Sequence, residues 1–426
     1  MLRFKKLTAV VCSCLLIAAI LSSCGQKKNE VVLPDEDGWF SIWATAPQVA
    51  EYEQIPVNPG FAGNTCRQVI RASIGGNKIK LTFSNEYGST PLIIESVHIA
   101  KLLYTGNPAI DTATDKVVTF GGKPDVSIEP GTAVVTDEIS FEFAALDNIA
   151  VSMKIGEYTG GDITCHRNAN TSSWIVEGDR VGDETFGGVK VMSSWYYLVN
   201  AQTWAEAGTK TLVCLGDSIT DRACCTFNQY NSWPDQLDSL LKANPETSKI
   251  SVVNMGISGN MLSGEYGDPA SKRLERDVLN VPGVRYVVLL IGINDVGTAQ
   301  ADISEKMKTD YKSIIDRCHE KGIKVYAGTL TPVKGNFYFS ELHETIRWAV
   351  NDYLMSNESG FDGVIDFASA IAREDDPSQM RDEYCSPGMD YLHPGDEGYK
   401  AMAQKAYEQL IWIWKNEAAI AAGTAK

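Results

Sequence analysis

Leu212-Val213-Cys214-Leu215-Gly216-Asp217-Ser218-Ile219-Thr220-Asp221 is the stretch on which the reading of this chain turns. Its four leading apolar residues read as a buried strand. Gly216 then lets the chain turn sharply. Ser218 falls just past the carboxyl end of that strand, where open α/β sheets place their ligands. A helix is expected soon after, so that backbone N–H groups there face a developing negative charge. Alone, the stretch reads equally well as an ordinary Gly-Asp-Ser turn. The rest of the chain breaks the tie.

Downstream, strands alternate with helices. Ile250 to Met255, Tyr286 to Ile291, Val325 to Leu330 and Val364 to Phe367 are apolar runs, and the six-residue run at Tyr286 has the mark of a central parallel strand. Between them lie helical patterns from Trp233-Pro234, from Ile303 to Lys321 with Gly322 as its stop, and from Glu341 to Met355; Glu397 to Trp414 is the last. Repeated βα units imply an α/β domain over residues 206–416, a doubly wound parallel sheet of flavodoxin-like type. Residues 417–426 read as a frayed tail.

Upstream, residues 38–205 are β-rich. Short runs such as Ile79 to Phe83, Leu92 to Ile99, Lys116 to Phe120, Ile139 to Phe143 and Ile149 to Ile155 are separated by turn residues, the spacing of a β-sandwich. Trp39, Trp43, Trp174 and Trp195 are expected in the core or between domains, with a sugar-stacking platform as the alternative.

The first residues form an address and not a fold. Arg3, Lys5 and Lys6 precede an apolar stretch from Leu7 to Leu21, too short for a comfortable membrane span. Leu21-Ser22-Ser23-Cys24-Gly25 then resembles a bacterial lipobox, in which Cys24 is lipid-modified and becomes the first mature residue. Residues 1–23 are thus expected as a lipoprotein signal peptide and 24–37 as a polar tether. The protein is expected to be exported and held at the bacterial cell envelope by acyl chains. Seven cysteines remain beyond Cys24: Cys66, Cys165, Cys214, Cys224, Cys225, Cys318 and Cys385. An odd number leaves at least one free thiol, and Cys214 in its buried strand is the candidate. Cys66 with Cys165 is a possible bridge. The net charge of −16 argues against nucleic acid and against an anionic membrane bound through a basic patch.

Acyl transfer by a serine needs a nucleophile, a base, a group that orients the base, and donors for the oxyanion. Four loops at one sheet edge offer them: Ser218 after the first strand, Ser258-Gly259-Asn260 after the second, Gly292-Ile293-Asn294-Asp295 after the third, and Asp390-Tyr391-Leu392-His393-Pro394 before the last helix. Singly, each has an ordinary explanation as a turn, cap or surface residue. Jointly, and in this order, they do not.

These four blocks resemble those of the SGNH hydrolases, also called GDSL esterases/lipases, over Thr211 to Trp414. The resemblance implies Ser218 as nucleophile, His393 as general base and then acid, and Asp390 as its orienting group. It also implies an oxyanion hole from the N–H groups of Ser218 and Gly259 and the Asn294 side chain. Arg276 to Leu279, Pro282 to Arg285, Thr329 to Pro332 and Leu392 to Tyr399 are similar to a narrower branch of arylesterases and acylhydrolases from xylan-degrading gut and rumen bacteria. Cys224-Cys225 departs from it where many relatives carry a Gly-rich loop.

Other chemistries lack their signatures. There is no Gly-x-Ser-x-Gly elbow and no Gly-x-Gly-x-x-Gly after the first strand. His343-Glu344 lacks the second His of a metalloprotease, and no CxxC spacing occurs. A serine esterase needing no cofactor or metal is therefore expected, acting on acylated carbohydrate. The alternatives are a lipid-directed acylhydrolase or lysophospholipase, and a non-catalytic glycan-binding lipoprotein.

Overall fold

The computed structural model describes residues 35–157, 161–264 and 267–421. Cys24 and the signal and tether residues up to 34 lie outside the described residues. Asp35 and Asp37, the end of the expected tether, accept hydrogen bonds from Gly208 N and Ala207 N (2.5 and 2.9 Å).

The second half is the expected α/β unit. Its five parallel strands lie in the order Ile250–Gly256, Lys210–Gly216, Val284–Leu290, Lys324–Gly328, Gly363–Ile365. In chain order that is 2-1-3-4-5, so the direction of winding reverses beside Lys210–Gly216, and the loop after that strand opens at the crevice. Strands of Val, Leu and Ile are buried on both faces because helices cover both, including Trp233–Ala243, Ser304–Glu320, Glu341–Met355 and Asp396–Ala421. Ser232 caps the first of these, its Oγ accepting from Asp235 N, with Pro234 in the first turn.

Residues 38–205 form two antiparallel sheets around one core. Gly38–Ala44, Leu198–Ala205, Gly76–Ser84 and Ala133–Val135 run side by side, with Ile139–Phe143 also on Gly76–Ser84. Lys190–Met192, Ser173–Val176, Thr65–Arg71, Asn148–Ile155, Leu92–Leu102 and Ile110–Val118 make the facing sheet. Ile42, Leu81 and Phe83 of one meet Ile70, Ile94 and Val151 of the other in a single cluster. A small third sheet of Trp195–Tyr196, Thr164–His166 and Gln48–Val49 sits at the end that faces the α/β unit. Trp43, Trp174 and Trp195 are buried, and Trp39 packs edge-on against Trp204.

The two halves share a seam. Ala44 and Ala46 belong to the hydrophobic core of the α/β unit. Ser41 N donates to Pro282 O (3.0 Å), Ser251 Oγ to Ser41 O (2.5 Å), and Ser73 Oγ to Asp238 Oδ1 (2.7 Å). Phe40 lies so close to Gly283, which has φ of 73°, that a Cβ there would meet its ring at 2.1 Å.

Three expectations need correction. No helix starts directly after Ser218. Asp221 N and Thr220 N bond back to Asp217 O in one turn, and Arg222 and Cys224 then take positive φ (78° and 61°), which ends it; the helix waits until Trp233. The last helix does not stop at Trp414, nor does the chain fray from 417. It runs to Ala421, because Trp414 stacks on Tyr286 and donates to Tyr326 Oη (2.9 Å), and Glu417 pairs with Lys324 (3.0 Å). All seven cysteines from Cys66 to Cys385 are free thiols, so Cys66 and Cys165 are buried singly and burial pushes both thiols up, Cys165 to about 12.

Candidate active site

Close packing of backbone shapes the loop that carries Ser218. A Cβ on Gly216 would sit 2.5 Å from Leu290 O, and one on Gly256 would sit 2.5 Å from Asp221 N. Glycine at both places lets the first two strands end flush, so the turn after Gly216 lies against the loop after Gly256. Asn254 Nδ2 ties them, donating to Thr220 O (2.6 Å).

The last loop meets this turn from across the sheet. Ser218 Oγ lies 2.9 Å from His393 Nε2, and His393 Nδ1 lies 2.7 Å from Asp390 Oδ2. Asp390 Oδ1 accepts from the backbone N–H of His393 (2.9 Å) and Leu392 (3.0 Å) and from Ser386 Oγ (3.2 Å). Asp390 is partly buried, which would raise its pKa. The bonds from the His393 ring and the two backbone N–H groups outweigh that and hold its carboxyl well below the usual range. Asp390 therefore stays ionised and fixes a proton on Nδ1, which leaves Nε2 with its lone pair toward the Ser218 hydroxyl.

The remaining groups surround the serine. Asn294 is held at both ends of its amide: Nδ2 donates to Asn260 O (2.8 Å) and Oδ1 accepts from Tyr338 Oη (3.0 Å). One Nδ2 hydrogen is left over. Gly259 has φ of 78°, which aims the Ser-Gly-Asn loop. Among the described residues, the N–H groups of Ser218 and Gly259 donate to no protein acceptor. Asp295 takes the N–H groups of Leu262 (2.8 Å) and Ser263 (3.3 Å), fixing the exit of the same loop.

Several groups at this site carry no signal in the sequence. Arg273 is fully buried and binds four partners: Asn260 Oδ1 (3.0 Å), Met255 O (2.8 Å), Asp277 Oδ2 (2.8 Å) and Gly216 O (2.9 Å). It thus clamps the first two strand ends together. Asp221 closes the turn after Ser218. Its Oδ2 accepts from Ser258 N (2.7 Å) and Oγ (2.8 Å), and its Oδ1 faces His166 Nε2 (2.7 Å) from the β-rich half. His166 Nδ1 faces Ala46 O (2.9 Å). Asp217, buried beside the serine, has its carboxyl pushed up to about 7 by burial, against one backbone bond from Ile219.

Residues 214–401 match the family model described as GDSL-like Lipase/Acylhydrolase. That stretch contains Ser218, Gly259, Asn294, Asp390 and His393, and leaves the β-rich region outside. No curated protein matches the chain. Among solved structures, an acetylxylan esterase from Geobacillus stearothermophilus is similar at 21% identity and a TM-score of 0.36, over 47% of this chain and 94% of that one. A GDSL-like lipase from Bacteroides thetaiotaomicron VPI-5482 is similar at 19% identity and a TM-score of 0.35, over 49% of this chain and 89% of that one.

Proposed function

We propose that this chain is a serine carboxyl-ester hydrolase that removes short acyl groups, O-acetyl first, from carbohydrate. The Ser218–His393–Asp390 relay at the sheet's switch point carries the reading. Ser218 Oγ attacks the ester carbonyl carbon as its proton passes to His393 Nε2. The carbonyl oxygen takes up the negative charge and faces Ser218 N–H, Gly259 N–H and the spare Asn294 Nδ2 hydrogen. His393 then protonates the leaving alcohol, and the acyl group stays on Ser218. Water attacks that ester with His393 again as base, releasing the carboxylate and restoring the serine.

A cleft of about 320 Å³ beside the Ser-Gly-Asn loop supports a polar alcohol side. Gln48, Glu51, Tyr87 and Arg167 of the β-rich half line it together with Ser258 and Asn260. These groups can bond hydroxyls, while Pro47, Val49 and Ile257 add an apolar wall on which the face of a sugar ring can lie. The reading also keeps Cys24 as a lipid anchor at the cell envelope, which Cys24→Ala tests by moving the protein into the soluble fraction. The decisive test is acetate release from acetylated xylan and from an aryl acetate, beside Ser218→Ala. The variant should lose at least about 10⁴-fold in kcat. Hydrolysis that survives the change refutes the serine mechanism; fatty-acid release without acetate release refutes the carbohydrate substrate.

A further inference from the structure

Cys224 is left without a task by ester hydrolysis, yet the fold takes trouble to place it. Its φ of 61° is costly for a residue with a Cβ. The segment around it is tied on every side. Tyr399 Oη donates to Ala223 O (2.7 Å), Thr226 donates through N and Oγ1 to Asp396 (3.0 and 2.5 Å), and Asn170 Nδ2 donates to Cys225 O (2.9 Å). The outcome is an exposed thiol at the edge of the relay. Its sulfur, a carboxylate oxygen of Asp390 and a ring nitrogen of His393 all lie within 4.8 Å of one another.

Sulfur, imidazole nitrogen and carboxylate oxygen are the donor set of a tetrahedral zinc ion, which holds them at about 2.0–2.3 Å. Ligands on such an ion stand roughly 3.5 Å apart, so the exposed Cys224 side chain has to turn inward and the 2.7 Å contact between His393 and Asp390 has to open for the three to share one ion. Magnesium and calcium, which prefer oxygen, are poorly served by this set. We propose that Cys224, His393 and Asp390 form a binding site for a soft divalent cation, zinc foremost, whose occupation switches the serine off. The switching clause rests on His393 being the base for Ser218; the binding clause does not.

The chemistry leaves no way for the ion and the serine mechanism to coexist. A metal needs a ring lone pair. Taken at Nε2, it displaces the Ser218 hydroxyl directly. Taken at Nδ1, it breaks the bond to Asp390 and sends the ring proton to Nε2. Either way Ser218 loses its acceptor. One proton leaves the Cys224 thiol for solvent as the sulfur–metal bond forms, and no oxidant or reductant is involved. Three protein ligands leave the fourth position to water.

The test uses the purified full chain, zinc chloride alone, and Cys224→Ser beside Cys225→Ser. Zinc should inhibit aryl-acetate hydrolysis by the wild type and by Cys225→Ser, with recovery on chelation. The concentration for half inhibition should rise at least about tenfold in Cys224→Ser, as expected when one ligand is lost. Cobalt(II) should give a thiolate-to-metal charge-transfer band with the wild type and not with Cys224→Ser, a readout that needs no turnover. Equal inhibition of Cys224→Ser and wild type, or a cobalt spectrum without that band, overturns the site. Absence of ester hydrolysis with the band present overturns the catalytic reading instead.

Discussion

Removing the His166 imidazole should weaken both the fold and the chemistry, although His166 belongs to the β-rich half. The perturbation is His166→Ala. In the native protein the His166 and Asp221 side chains are 1% and 2% exposed, and their contact is 2.7 Å. The change leaves Asp221 Oδ1 buried without its partner, while Oδ2 still holds Ser258. Breaking a buried pair from one side costs about 3 kcal/mol or somewhat more. For a unit of 150–250 residues that corresponds to a Tm lower by roughly 6–12 °C. Asp221 is also what anchors Ser258, whose neighbour Gly259 supplies an oxyanion donor in the proposed mechanism. A donor displaced but not deleted should lower kcat by about tenfold, less than full removal, with KM changed under about threefold. The assay is thermal unfolding beside aryl-acetate kinetics, for His166→Ala, Asp221→Ala and the double variant. The double variant should lose less than the two single losses added together, because both remove one contact. Additive losses, or a His166→Ala protein with wild-type Tm and kcat, would refute the argument.

Three further outcomes follow from the site. Asn294→Ala should lower kcat by about 10²–10³-fold while KM stays near wild type, since in the proposed mechanism the spare amide hydrogen acts only on the developing oxyanion; an equal rise in KM would mean that Asn294 serves substrate binding. Asp217→Asn should stabilise the protein at pH 8 and hardly at all at pH 4. The native carboxyl keeps its proton up to about pH 7 while the unfolded chain releases it near 3.8, so native Asp217 binds more protons in that window and stability falls as pH rises through it. The gain at pH 8 should reach roughly 4 kcal/mol by denaturant titration, and an equal gain at both pH values would contradict the shift. Arg273→Lys keeps the charge yet loses the planar fork that reaches Gly216 O, Met255 O and Asn260 together; it should cost about 2 kcal/mol and lower kcat, and a neutral result would show that the clamp is redundant.

The chain's one-dimensional pattern is enough for the fold of the α/β half. Parallel strands covered on both faces must be continuous apolar runs, so Leu212 to Leu215 and Tyr286 to Ile291 are visible without any partner strand. Helices with a stop or a cap, such as the one ended by Gly322 or the one over Glu341–Met355, are local in the same sense. The loops that carry Ser218, Gly259, Asn294 and the Asp390–His393 pair can be placed in the same way, from the strand before or the helix after, whereas the roles proposed for these residues come from the resemblance and not from any local pattern. The β-rich half was legible only in part. Gly38–Ala44, Thr65–Arg71 and Leu198–Ala205 pair with distant strands and show no distinctive local rhythm.

What only the tertiary structure decided are contacts between residues far apart in sequence. Asp221 stands within the opening stretch, but nothing local tells that its partners are Ser258 and, 55 residues upstream, His166. Arg273 is an unremarkable arginine until two strand ends converge on it. Cys224 meets Asp390 and His393 across more than 160 positions. Sequence period encodes which face of an element is buried; the identity of a long-range polar partner is set by how the packed elements come together, and no periodicity carries it.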